Sequence, residues 1–171
     1  PKTLEQFLAN PPERAAKYSP KVIAAVDEFT ATVHDRSKGI RQRRPAVELL
    51  SLWPRADMMT AVEELLVPAE SGEIQQAALD VIRQSSGTEA TRIVLKKWPS
   101  LSPSVRSDAL RFLVSSSEGT KQFLQMMTEG TISASVIDID QRLRLLKHGD
   151  KDIKKLAEQL FGGVVSTNRE A

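Results

Sequence analysis

The segment 71–82, SGEIQQAALDVI, reappears 31 residues later at 102–113 as SPSVRSDALRFL, with its apolar pattern intact. A third copy begins at Asp150, where Ile153, Ala157, Leu160 and Phe161 take the places of Ile74, Ala78, Val81 and Ile82. Each copy opens on Ser71, Ser102 or Asp150, three positions before its first apolar residue, where a side-chain oxygen can accept from the N–H groups of a helix's first turn. One helix pair of this length cannot bury its apolar face alone. A chain built from such copies stacks them, and the expected architecture is an all-α solenoid of antiparallel helix pairs.

Punctuation along the chain agrees with helices throughout. A short helix over 3–9 stops at Asn10-Pro11-Pro12, and Ser19-Pro20 makes a second stop. From Lys21, the residues Val22, Ile23, Val26, Phe29 and Val33 recur at helical spacing, with Gly39 as the expected C-cap. Pro45 fits a first helical turn, Asp57 a cap before Met58, Val62, Leu65 and Leu66, and Ser117 the position before the next helix. Asp138 and Gln141 have capping-box spacing, and Gly162-Gly163 is expected to end regular structure. The resulting division is 1–44, N-terminal helices and a basic connector; 45–161, the repeats; and 162–171, a C-terminal linker. Leu79, Leu110, Phe112, Trp98 and Leu160 are expected to be buried between repeats. Trp53 and Trp98, each followed by Pro, occupy equivalent wedge positions.

Aromatic residues make up only 5% of the 171 residues, which favours packed Leu, Ile, Val and Ala helices over a sheet sandwich. No run approaches the 18 apolar residues of a membrane span, and no secretory signal opens the chain. Beginning at Pro1 without Met, it reads as a segment of a longer protein. With no Cys, the segment has no disulfide, zinc-finger or thiolate chemistry of its own. The formal net charge is only +2, which is far from the strong field of a nucleic-acid binder.

Catalytic patterns are weak. His34 and His148 each fall at an expected helix C-terminus, a position that suits capping of the last carbonyls. Glu63-Glu64 has the spacing of a solvated helix face. Asp138, Asp140, Asp150 and Asp152 include two helix caps and lack calcium-loop spacing. No glycine pattern cradles phosphate. The expectation is therefore a segment without enzyme activity, cofactor or metal. The interaction surface to consider is the run Lys38, Arg41, Arg43 and Arg44, joined by a second group with Arg142 and Arg144.

The stretch 97–106, KWPSLSPSVR, continued by Ala109-Leu110, and the stretch 141–153, QRLRLLKHGDKDI, resemble the HEAT-like segment of large haem-binding proteins of planctomycetes and their relatives. The resemblance implies a HEAT/armadillo-like α-solenoid between a sugar-dehydrogenase-like propeller and a c-type cytochrome domain, in an extracytoplasmic protein. It departs from the family pattern at Ser133, where proline often follows the connector isoleucine. The haem-attachment motif CxxCH is absent, so no ligand residue carries over. The implied function is a non-catalytic scaffold or spacer whose partners are neighbouring domains of the same chain or another protein. The alternatives are a free-standing protein-binding adaptor using a concave face, and a nucleic-acid or phosphoprotein binder working through Lys38 to Arg44. Nucleic acid is the less expected partner, and no small-molecule substrate is evident.

Overall fold

The computed structural model describes residues 28, 31–52, 55–84 and 87–165, and every regular element among them is helical. Residues 31–34 are helical and precede α1 (Ile40–Glu48), α2 (Arg55–Leu65), α3 (Gly72–Gln84) and α4 (Thr88–Lys97). There follow α5 (Pro103–Leu113), α6 (Ser117–Thr128), α7 (Ile139–Leu146) and α8 (Lys151–Val165), with short 3₁₀ turns at Leu49–Leu52, Trp98–Ser100 and Ala134–Val136. The helix expected over 3–9, its proline stops, the start of the helix from Lys21, Trp53 and the tail 166–171 lie outside the described residues. Among the described residues no helix is long and apolar enough to cross a membrane.

The packing divides the chain into two compact units, one through Ala109 and one from Leu110. In the first, α1 packs on α3, while α2 packs on both α3 and α4. In the second, α6 and α7 each pack on α8.

The repeat positions converge on the same burial. Ile74, Val105 and Ile153 are all fully buried, as are Ala78, Ala109 and Ala157. Ile82, Leu113 and Phe161 complete the set at 0 to 1% exposure. A small Ala at the middle of each helix lets a neighbour approach closely, and the larger side chains one turn away fill the flanking space. The pattern loosens at one position. Val81 is buried, but its equivalents Phe112 and Leu160 are half-buried, which corrects the expectation for those two; Leu79, Leu110 and Trp98 are buried as expected.

The caps show where local chemistry decided the boundaries. Ser71 Oγ accepts from the Ile74 N–H at 3.3 Å. Asp150 Oδ1 accepts from Asp152 and Ile153 at 2.9 and 3.4 Å. Asp138 and Gln141 form the expected reciprocal box. Ser102 differs: its hydroxyl meets Ser104 Oγ at 3.3 Å in place of a first-turn backbone amide. The cap of α6 is Ser116, accepting from Gly119 N–H at 3.1 Å, one residue before the expected position.

Other expected stops are passed over. The first repeat boundary, set between residues 44 and 45, falls inside α1, and Pro45 sits mid-helix in place of the first turn. Gly39 is the N-cap of α1, in extended backbone, and not the C-cap of the preceding helix. Helix α2 begins at Arg55, so Asp57 lies in its first turn. Helix α8 runs through Gly162-Gly163 to Val165 because nothing there needs a left-handed residue, and the linker expected from residue 162 starts no earlier than the helix ends. Gly130 is the contrasting case: its φ of 77° is left-handed, and α6 ends there.

Candidate functional site

The polar groups that stand out in the first unit hold chain to chain. Gln75 is 1% exposed yet loses no hydrogen bonding, since its amide Nε2 donates to Val67 O at 2.8 Å and Ser100 O at 3.0 Å. Its Oε1 accepts from the Ser102 N–H at 2.8 Å. One side chain on α3 therefore ties the connector before α3 to the connector before α5. Both N–H donors and one of the two oxygen lone pairs of the carboxamide are used, which offsets most of the cost of burying it.

The expected positive run is split by the structure. Arg43 is buried at 5% exposure: Nε and Nη2 donate to Val33 O at 3.1 and 2.8 Å, and Nη1 pairs with Glu70 at 2.8 Å. It belongs to packing and not to a surface. The other carboxylate oxygen of Glu70 takes Arg36 Nε at 2.7 Å. Burial pushes the Glu70 carboxyl up, but the hydrogen bonds from Arg43 and Arg36 outweigh it and hold the group below the ordinary glutamate range. Lys38 Nζ donates to Thr32 Oγ1 at 2.7 Å, and Arg44 pairs with Glu48 one turn along α1 at 3.0 Å. Arg41 is exposed. A phosphate-binding patch built on all four cations is thereby corrected to three surface residues, two of them already bonded within the chain.

Arg142 is corrected likewise. Its Nε and Nη2 donate to Ile137 O and Ala134 O at 2.9 and 3.2 Å, and its guanidinium lies 5.4 Å from the centre of the Phe161 ring. It clamps the 3₁₀ connector onto the last helix of the second unit. Arg144 is exposed and lines a pocket together with His148.

The acidic candidates are also taken up by neighbours. Glu63 and Glu64 do not face one another as a catalytic pair would. Glu63 meets Lys96 at 2.6 Å, and that hydrogen bond lowers its carboxyl below the ordinary range against the opposing effect of burial. Glu64 lies 3.7 Å from His34 at the surface. Lys121 bridges Asp150 at 3.0 Å and Asp152 at 3.1 Å, which lowers the Asp150 pKa and raises that of the lysine. Among the described residues no three His, Cys, Asp or Glu side chains group as a metal site. The ring of His148 does not cap the carbonyls behind it; Nδ1 accepts from the Asp150 N–H at 3.0 Å, reaching forward to the next helix.

Comparison with protein-family models, with curated proteins and with solved structures gives no match to this chain.

Proposed function

We propose that this chain is a non-catalytic helical-repeat module, a HEAT/armadillo-like solenoid that keeps neighbouring domains of a longer extracytoplasmic protein at a fixed spacing. The observation that carries the reading is a set of ion pairs that tie helical segments 31 to 34 residues apart. Within the first unit Arg36 reaches Glu70 across 34 positions and Lys96 reaches Glu63 across 33; within the second, Lys121 reaches Asp152 across 31. These separations are close to the 31 residues between the first two copies, while the third copy opens 48 residues after the second. Within each unit, such contacts between neighbouring helices, beside the equivalent buried positions on α3, α5 and α8, support a helical-repeat module. A stack of this kind resists bending better than a flexible linker of equal length, so it suits a spacer. The resemblance to haem-protein segments supplies the identity of the neighbours: a sugar-oxidising propeller on one side and a c-type haem domain on the other.

The test replaces the segment, in the full-length protein, by a Gly/Ser chain of the same number of residues. Expected is a fall of at least about tenfold in electron transfer between the flanking domains, with each domain retaining its own spectrum and half-reaction. Unchanged transfer overturns the spacer reading, and so does a reading frame that encodes no domain on either side.

A further inference from the structure

The second unit holds a half-enclosed pocket of about 320 Å³, lined by the end of α5, the start of α6 and one face of α7. That volume lies within the usual range of small-molecule sites. Leu110, Ile137 and Leu145, all buried, give it an apolar wall, and Val114, at 36% exposure, extends that wall towards solvent. The polar lining is one-sided. Among the described residues that line it, the charged side chains are Arg111 and Arg144, both basic, and none is a carboxylate.

Three of its groups present donors. His148 uses Nδ1 to accept the Asp150 N–H, which leaves the ring proton on Nε2. Gln141 uses Oε1 to accept the Asp138 N–H, which leaves its NH₂. Arg144 has no carboxylate within ion-pair distance among the described residues, whereas Arg36, Arg43, Arg44 and Arg83 each have one. Three donor-bearing residues lining the same pocket as an apolar wall fit a ligand with one anionic end and one aliphatic end.

We infer that this pocket binds a small aliphatic monocarboxylate, with the carboxylate at Arg144, His148 and Gln141 and the chain along Leu110, Ile137 and Leu145. This site stands independently of the spacer reading. A guanidinium can meet a carboxylate with two parallel hydrogen bonds, so charge and shape are recognised together.

The experiment titrates the ¹⁵N-labelled full chain with octanoate, and in parallel with 1-octanol, octylamine and acetate. Expected are saturable amide shifts at Val114, Thr120, Gln141, Arg144 and His148 with octanoate, and binding weaker by roughly tenfold or more for each of the other three, as loss of a charge-assisted hydrogen bond or of the apolar contact requires. Arg144→Gln, at an exposed position that leaves the helical circular dichroism unchanged, is expected to weaken octanoate by a similar factor. Val114→Glu, which sets a carboxylate beside the pocket, is expected to weaken it further. Equal binding of octanol and octanoate, saturable shifts confined to another surface, or full affinity in Arg144→Gln each overturns the site. A short peptide ending in a free leucine carboxylate that binds more than tenfold tighter than octanoate would overturn the small-acid assignment in favour of a chain terminus.

Discussion

Arg43 and Glu70 form an ion pair 2.8 Å long in which only 6% and 3% of the two side chains remain exposed. It joins α1 to the connector before α3 from positions 27 residues apart. Removing one partner of a buried pair leaves an uncompensated charge, whereas replacing both by apolar groups is often nearly neutral. Arg43→Ala is expected to cost about 3 kcal/mol in chemical denaturation, the low end of the usual range, because Arg36 still reaches Glu70. The double variant Arg43→Met with Glu70→Leu is expected to recover most of that loss. A double variant as unstable as the single one would show that the hydrogen bonds to Val33 O, and not the uncompensated charge, set the cost.

The same glutamate makes stability depend on acid. Its pKa is lower in the folded chain than in the unfolded one, so its contribution is complete above the ordinary glutamate value of about 4.3 and is lost as the pH falls from there towards the lowered value. Unfolding free energy measured from pH 6 to pH 2.5 is expected to fall more steeply for the native chain than for Glu70→Gln. Parallel curves would remove Glu70 as a source of acid sensitivity.

Gln75→Leu keeps the side-chain bulk but takes away the partners of Val67 O, Ser100 O and the Ser102 N–H. Buried groups left unsatisfied cost about 1 to 3 kcal/mol each, and relaxation towards water at the connectors reduces the sum, so a loss of about 3 kcal/mol is expected. Faster amide exchange at Ser102 is expected to accompany it. Full protection of that amide in the variant would mean that another acceptor holds it.

Two helical glycines give an internal contrast. A Cβ on Gly119 would stand 2.3 Å from Leu113 O and 2.9 Å from the capping Ser116 Oγ, so the backbone of α5 or α6 would have to move. Gly119→Ala is expected to cost about 3 kcal/mol. Nothing lies within 4 Å of a Cβ on Gly162, and there Ala is expected to stabilise α8 by up to about 1 kcal/mol through helix propensity. Melting temperatures of the two variants are expected to shift in opposite directions.

Trp98 is 4% exposed at the end of α4. Trp98→Ala is expected to cost about 3 to 5 kcal/mol by leaving a cavity. A loss below about 1 kcal/mol would mean the site collapses around the smaller residue and that the indole is no wedge.

Arg43 shows how a readable position can be misread. It stands at i, with Ala46 and Val47 at i+3 and i+4 on the buried face of α1 and buried Leu50 at i+7 in the 3₁₀ turn that follows. Helical spacing places it inward. Its charge, counted with Lys38, Arg41 and Arg44, suggested a surface, because the compensating Glu70 lies on another element and no spacing rule connects them. Arg142 repeats the lesson, since its two carbonyl partners and the Phe161 ring gather only when the connector folds back over α8. Gly39 and Gly162 show the converse: a glycine permits a stop, and only the surrounding backbone decides whether one occurs.

Periodicity and caps are properties of a few consecutive residues, and a repeat is visible by comparing such stretches, so the amino-acid sequence alone determined that the described residues form helices, that α3, α5 and α8 carry equivalent positions, and that Ile74, Val105 and Ile153 face inward. Which polar groups those helices bury, and which partner meets each, depends largely on contacts between elements, such as Gln75 with Val67 O and Arg36 with Glu70, 8 and 34 positions apart. Those were decided by tertiary structure, because a buried charge or amide is tolerated only where another segment brings the matching group within hydrogen-bond distance.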